Sequence, residues 1–474
     1  MILNTETVKN KIFPVTIIGS GPAGISLALQ LEKLRIPCLV IETGDKNFTE
    51  KASSRLLGEV VGNFPSDLSV LRLSQFGGTT GHWGGTCRTL DSYDYDKWPI
   101  KKSDLEKYLN ETCNILDIKN SFRESLIDNN FKIIEFQQSN VRFYEKYYDH
   151  IAKSNFISLL LNTTLYNLKI ENKNINEFYL KTYQGDILSL KSKFLILACG
   201  GIENSRILLW CKENNKTFFE NLPIGNYWME HPNKILANGF GDFVKIKNIF
   251  SNNFYNFENF MNFGEFTVSI APTKSFLTKN KILNSGLFLT LHERSNNSYK
   301  NILKNLVCID PNISNKILKL FGKNILCGIT ISSSWEQEPE YLNRITLSEK
   351  KDNLGIPLSK LNYKISEKTL KTGITMFENM GSYFVKNNIG RLVAYDYLYN
   401  AEMFLSDAGY HHIGGTIMGE DVKNSVVNKD LKVHGTNNLY ICGSSVFPTG
   451  GHANPTLTII QLSLRLGTHL SNII

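Results

Sequence analysis

Residues 15–42 read VTIIGSGPAGISLALQLEKLRIPCLVIE. The run 15–18 is β-branched and apolar, as a short buried strand requires, and residues 25–34 carry the apolar spacing of an amphipathic helix. A second apolar strand over 38–41 ends in Glu42. Between the first strand and the helix stands Gly19-Ser20-Gly21-Pro22-Ala23-Gly24, a GxGxxG in strand–turn–helix–strand context. Gly19 permits the tight turn, Gly21 lets the backbone approach a pyrophosphate, and Gly24 allows close helix–strand packing. Amides at the helix start, around Pro22 and Ala23, and the positive end of the helix dipole then hold the phosphates. Glu42 lies 18 residues after Gly24, where a carboxylate accepts from ribose hydroxyls and disfavours a 2′-phosphate. The stretch predicts a bound dinucleotide and leaves FAD and NAD both open.

The rest of the chain narrows this. No second GxGxxG follows, so there is no visible pair of dinucleotide sites. Residues 194–206 (FLILACGGIENSR) and 438–445 (NLYICGSS) repeat the strand-to-glycine-turn arrangement, adding Gly200, Gly443 and Ser444 to the candidate cradle. Three such turns, far apart in sequence, predict a parallel sheet assembled from separated segments around one extended cofactor. Residues 77–85 (GGTTGHWGG) are too glycine-rich for a helix or central strand. They read as a loop whose backbone, at Gly78, Thr79, His82, Trp83 and Gly84, approaches something flat.

Composition excludes several classes. The 474 residues are 42% hydrophobic and 20% charged, which rules out a disordered chain and supplies roughly three domains' worth of core. The net charge of +8 is diffuse, with no basic run, so no nucleic-acid partner is expected. Eight cysteines show neither CxxC pairs nor zinc spacing, and no metal site or disulfide framework is expected. The amino terminus lacks the basic and apolar regions of a signal peptide, and no stretch approaches the ~20 apolar residues of a membrane span. The expectation is a soluble, cytoplasmic protein.

At this point the chain resembles the glucose–methanol–choline (GMC) flavoprotein oxidoreductases, with closest likeness to pyranose oxidase and bacterial sugar and glycoside oxidoreductases. The matching segments are 15–42, 77–100, 195–206, 225–232 (GNYWMEHP), 336–357 and 410–466, the last containing HHIGGT and NPTLT. The resemblance implies a single FAD, oxidation of an alcohol by hydride transfer, and an active-site pair that falls on His412 and Asn454. Asn454 and Thr456 would also touch the cofactor. An imidazole within reach of a hydroxyl is a suitable base, and an amide beside it can orient the same oxygen. Adjacent His411 is expected to point away, since neighbours in extended chain alternate faces. His452 is the lesser alternative partner.

His82-Trp83 match the pair through which pyranose oxidase joins its flavin covalently, whereas many relatives hold FAD without a bond; both alternatives stand. Gly84 replaces a Thr of that pattern and puts oxygen as acceptor in question, leaving oxygen, a quinone or a carrier. Ile417 stands where relatives often have Arg. The expected substrate is a small sugar-like molecule oxidised at a hydroxyl, with a biosynthetic dehydrogenase on an aminoglycoside or polysaccharide precursor and a lyase on the same scaffold as alternatives.

The expected architecture is α/β (α+β overall). A Rossmann-like FAD-binding domain (1–90, 131–235 and 405–474) interleaves with a substrate domain (91–130 and 236–404) built on a mixed or antiparallel sheet with helices. Alternating stretches within 265–294 and 325–347 read as strands, and 365–388 as a helix. The aromatic run FSNNFYNFENFMNFGEF at 250–266 is a candidate sugar-stacking surface or core filler.

Overall fold

The computed structural model describes residues 1–9, 11–70, 72–215, 219–250, 266–292, 328–400 and 407–474, with isolated positions between 299 and 320. Most of the aromatic run, residues 251–265, lies outside the described residues.

Two sheets organise the chain. The first is five-stranded, in the order Leu439–Ile441, Ser192–Leu197, Phe13–Ile18, Cys38–Ile41, Ile157–Leu160, and every neighbour pair is parallel. Val15, Ile17, Leu39, Val40, Leu195, Ile196 and Ile441 are wholly buried. Burial on both faces is why these strands read as continuous apolar runs rather than alternating ones. The helix Pro22–Lys33 packs against the helix Thr456–Ser471. Gly467 lets them close, since a Cβ there would lie 2.6 Å from the Gln30 Cγ. The first and last segments of the chain thus share one layer.

The second sheet has eight strands among the described residues. Its order is Gly390–Ala394, Pro232–Gly241, Ile329–Trp335, Ser285–Leu291, Phe266–Pro272, Phe131–Ile134, Glu124–Leu126, with Asp407–Ala408 also pairing to Pro232–Gly241. All of its pairings are antiparallel. The helix Glu367–Lys386 covers it, placing Met376, Phe377, Met380 and Phe384 in the same core as Leu287, Ile331 and Trp335. That helix starts where Ser366 Oγ accepts from the Thr369 amide at 3.1 Å.

The expected interleaving of a parallel-sheet unit with an antiparallel one is present, but the strands fall differently at two of the anticipated boundaries. Phe131–Ile134 pairs within the eight-stranded sheet, and Pro232–Gly241 enters that sheet before residue 236. A third sheet joins the two units, with Pro357–Tyr363 parallel to Gly58–Gly62 and antiparallel to Arg344–Lys351. Beneath it Asp352 accepts from Arg55 at 2.9 Å and from Arg206 at 2.8 Å, while Glu203 accepts from Arg206 at 2.7 Å and from Arg72 at 3.0 Å. Arg206 is wholly buried, so the carboxylates compensate guanidinium charge that water cannot reach. Among the described residues no helix is long and apolar enough to cross a membrane.

Candidate active site

The three glycine turns follow the carboxy-terminal ends of three adjacent parallel strands, where ligands bind in open α/β sheets. Gly19 has φ +106°, and a Cβ there would lie 2.5 Å from the Ala198 carbonyl oxygen of the neighbouring turn. Only glycine fits. A Cβ at Gly21, by contrast, would meet nothing within 4 Å, and the same is true at Gly200 and Gly84. The helix beginning at Pro22 has no side-chain cap, so its first amides and dipole are free for an anion. Ala23 and Gly24 are buried in its first turn. Glu42 is buried and accepts from the Ser20 amide (3.0 Å), the Ser20 hydroxyl (2.7 Å) and the Gly44 amide (2.8 Å). Burial raises its pKa, opposed by those hydrogen bonds and by Arg55. Oε1 keeps acceptor capacity beyond its single bond. An open glycine turn, an uncapped helix and a buried carboxylate are the donor and acceptor set that a dinucleotide needs.

The 77–85 loop lies across this turn. The Gly77 amide donates to the Ser20 carbonyl at 3.0 Å, and a Cβ at Gly78 would be 2.9 Å from the Gly21 Cα. Thr80 caps the loop internally by donating to the Gly77 carbonyl at 2.7 Å, and the Trp83 indole donates to the Val141 carbonyl at 2.9 Å. Thr79, His82 and Gly84 are exposed. Gly443 has φ +136°, and Ser444 Oγ donates to the His412 carbonyl at 2.5 Å, tying the third turn to the histidine segment.

That segment pairs with the chain around residue 230. Met229 and Ile413 exchange backbone hydrogen bonds of 2.7 and 3.0 Å, and Pro232 pairs with Ala408. Glu230 ties the two stretches again, since its Oε1 accepts from the His231 amide at 2.9 Å and from the His411 amide at 2.7 Å. Its Oε2 is buried without a partner among the described residues, and burial pushes the carboxyl up to about 8. The pairing sets His411 beside His231, with Nδ1 to Nδ1 at 2.9 Å and rings edge to face. The Asn454 amide nitrogen lies 2.9 Å from His411 Nε2.

The two adjacent histidines do point apart, but in the opposite sense to the expectation. His411 meets Asn454 and is partly exposed, whereas His412 is buried against Trp228, with ring centroids 5.9 Å apart, and its Nε2 has no partner among the described residues. Tyr410, at φ +61°, turns the chain just before the pair, so counting along an extended strand does not assign the faces. Burial holds His411 down to about 4; burial and then the Arg72 and His411 charges hold His412 to about 3.

The loop that leads to Asn454 is held at Thr449 by buried polar groups. Trp98 Nε1 donates to Thr449 Oγ1 at 2.8 Å, and that hydroxyl donates to the Asp94 carbonyl at 2.9 Å. His452 is drawn away to Asp91, 3.5 Å from Nε2 to Oδ2, and Asp91 also holds Lys132 at 3.0 Å. Of the side chains on this loop, Asn454 reaches His411, while Thr456 opens the terminal helix, partly exposed. Sequence reasoning gave no role to Glu230 or His231, although both stand in the GNYWMEHP segment. An acid–base dipeptide in an otherwise apolar stretch was the available signal.

Residues 339–463 match the family model described as GMC oxidoreductase. This stretch is a GMC oxidoreductase domain. The chain is 32% identical over 161 residues to the fructose dehydrogenase large subunit of Gluconobacter japonicus, covering 31% of this chain and 25% of that one. It is 25% identical over 154 residues to the 2-methyl-1,2-propanediol dehydrogenase of Mycolicibacterium austroafricanum, covering 32% and 27%. The matched regions thus span about a quarter of the length of these curated relatives. Among solved structures, pyridoxine 4-oxidase from Mesorbium loti superposes with a TM-score of 0.61 at 10% identity, over 96% of this chain and 99% of that one. A formate oxidase from Aspergillus oryzae RIB40, studied for FAD modification, superposes with a TM-score of 0.56 at 12% identity, over 98% and 99%. The GMC domain therefore sits in a chain whose whole fold is that of these oxidases.

Proposed function

We propose that the protein is an FAD-dependent oxidoreductase that oxidises a CH–OH group of a sugar-like substrate, with His411 as the base and Asn454 as its partner. The observation that carries this reading is the His411 Nε2–Asn454 contact at 2.9 Å, on a partly exposed face of the segment that leads from the glycine turns. The base assigned to His412 from the resemblance passes in this reading to its neighbour, because the His412 ring is buried against Trp228 while His411 is partly exposed beside Asn454. FAD would rest on Gly19, Gly21, Gly24 and Glu42 beneath the 77–85 loop, and when bound it supplies the hydride acceptor. His411 takes the hydroxyl proton, Asn454 fixes the direction of the hydroxyl oxygen, and the depressed basicity of His411 keeps it unprotonated before substrate arrives. The sugar class is supported by the likeness of part of the sequence to the fructose dehydrogenase large subunit.

The test is anaerobic mixing of the flavin-loaded protein with hexoses, starting with fructose, and with simple diols. Sugars should bleach the flavin. A protein reduced by dithionite and by no sugar overturns the sugar assignment, and bleaching by the diols alone moves the substrate class. Peroxide yield against dye turnover then separates oxygen from a quinone or carrier as acceptor, and acid precipitation shows whether colour stays with His82.

A further inference from the structure

His231 is wholly buried, and nothing in the alcohol oxidation outlined above requires it. Its backbone is fixed on both sides, by the amide donated to Glu230 Oε1 at 2.9 Å and the carbonyl that accepts from the Gly409 amide at 3.2 Å. Its ring meets His411 Nδ1 to Nδ1 at 2.9 Å, on the side of the His411 ring opposite Asn454.

With the Asn454 amide turned so that Nδ2 faces His411, counting protons along this row gives each tautomer. A primary amide nitrogen only donates, so Asn454 Nδ2 facing His411 Nε2 requires a bare lone pair there. A neutral His411 must then carry its proton on Nδ1 and donate it to His231 Nδ1, which must be bare. The remaining His231 proton sits on Nε2, which faces the 450–451 backbone without an aligned hydrogen bond; a Cβ at Gly450 would be 2.9 Å away. No other assignment of two neutral rings satisfies both contacts.

We propose that His231 is a positioning residue that holds His411 in the Nδ1–H tautomer, so that Nε2 is the bare atom, accepting from Asn454 at rest and from a substrate hydroxyl that displaces that amide. The inference rests on the reading of His411 as base. It adds what that reading lacks, because a neutral imidazole free in water prefers the opposite tautomer, with the proton on Nε2, and could not accept there. The charged and titratable groups around the pair suit a neutral His231. Burial, then the His411 and His452 rings, hold it well below the usual histidine range, and Glu230 approaches only its backbone. When His411 takes a proton at Nε2, its Nδ1–H still points at His231, and the Asn454 amide must turn so that Oδ1 rather than Nδ2 faces the new N–H.

The experiment is nitrogen-detected tautomer assignment in the full chain labelled with ring-15N histidine, with His411 identified by the signals lost in His411→Asn. The expected wild-type result is a protonated Nδ1 and a bare Nε2; a wild-type His411 protonated on Nε2 overturns the proposal, with no variant of His231 needed. In His231→Leu the proton should move to Nε2, and flavin reduction at saturating sugar should slow by on the order of 10²-fold or more with the half-saturating concentration little changed, as for a base in the wrong tautomer. His231→Asn places Oδ1 near the former Nδ1 and should keep the tautomer and most of the rate. Equal rates and equal tautomers in His231→Leu and wild type refute the role. A His411→Asn protein that keeps the wild-type rate refutes the base assignment instead, whatever the tautomer.

Discussion

Replacing Glu230 by Gln should leave the protein about as stable as wild type in acid and more stable in base. The carboxyl is wholly buried, and burial raises it from an ordinary 4.5 to about 8. A raised carboxyl holds its proton in the folded state over a range in which the unfolded chain has released it. Its contribution to stability is therefore complete below about 4.5 and falls as pH rises toward about 8. The window spans 3.5 units (8 − 4.5), and at about 1.36 kcal/mol per unit the loss reaches roughly 5 kcal/mol as a ceiling. Gln keeps the oxygen that accepts from the His231 and His411 amides and cannot ionise. Its NH₂ takes the place of Oε2, which has no partner among the described residues in either case. Thermal midpoints of the two flavin-loaded proteins should nearly coincide at pH 5, with the variant several degrees higher at pH 8. A difference that does not change with pH, or a variant that is weaker at pH 8, would refute the assignment of a neutral buried carboxyl.

Flavin reduction should be independent of pH above about 5 and should decline in acid around pH 4, because His411, held to about 4 by burial, must be unprotonated to act; a rate that instead rises through pH 6.5 points to a different base. Gly19→Ala forces a Cβ to 2.5 Å from the Ala198 carbonyl at φ +106° and should yield protein with little bound flavin, read from the absorbance ratio of purified samples. Asp352→Asn leaves the buried Arg55 and Arg206 short of charge and should cost about 3–5 kcal/mol, measured by denaturant titration.

Four of the five strands of the parallel sheet were legible because each is a short apolar run leading to a glycine turn or Glu42, and only adjacency at a common cofactor reconciles turns at 19–24, 199–201 and 443; Ile157–Leu160, followed by Leu161 and Asn162, carries no such signal. The boundary at 131 was not legible either. The run FKII at 131–134 has the same composition whether it lies in a parallel or an antiparallel sheet, and its partner Phe266–Pro272 lies far along the chain. The site divided in the same way. Asn454 came to notice through the resemblance, by its place before Pro455 and Thr456, but two successive histidines differ only in which way each faces. That depends on pairing with residues 229–233 and on the turn at Tyr410, both long-range or conformational properties absent from the HHIGGT string. Glu230 and His231 were missed because a lone carboxylate and a lone imidazole gain meaning only when a second strand brings His411 to them.

The central claim is that His411, not its neighbour, takes the proton. Anaerobic rapid mixing of His411→Asn and His412→Asn with the sugar that reduces wild type fastest tests it most directly, each variant first matched for bound flavin. The account predicts a reduction rate lowered on the order of 10²–10⁴-fold in His411→Asn and a rate close to wild type in His412→Asn. The reverse order, with His412→Asn silent and His411→Asn active, would contradict it.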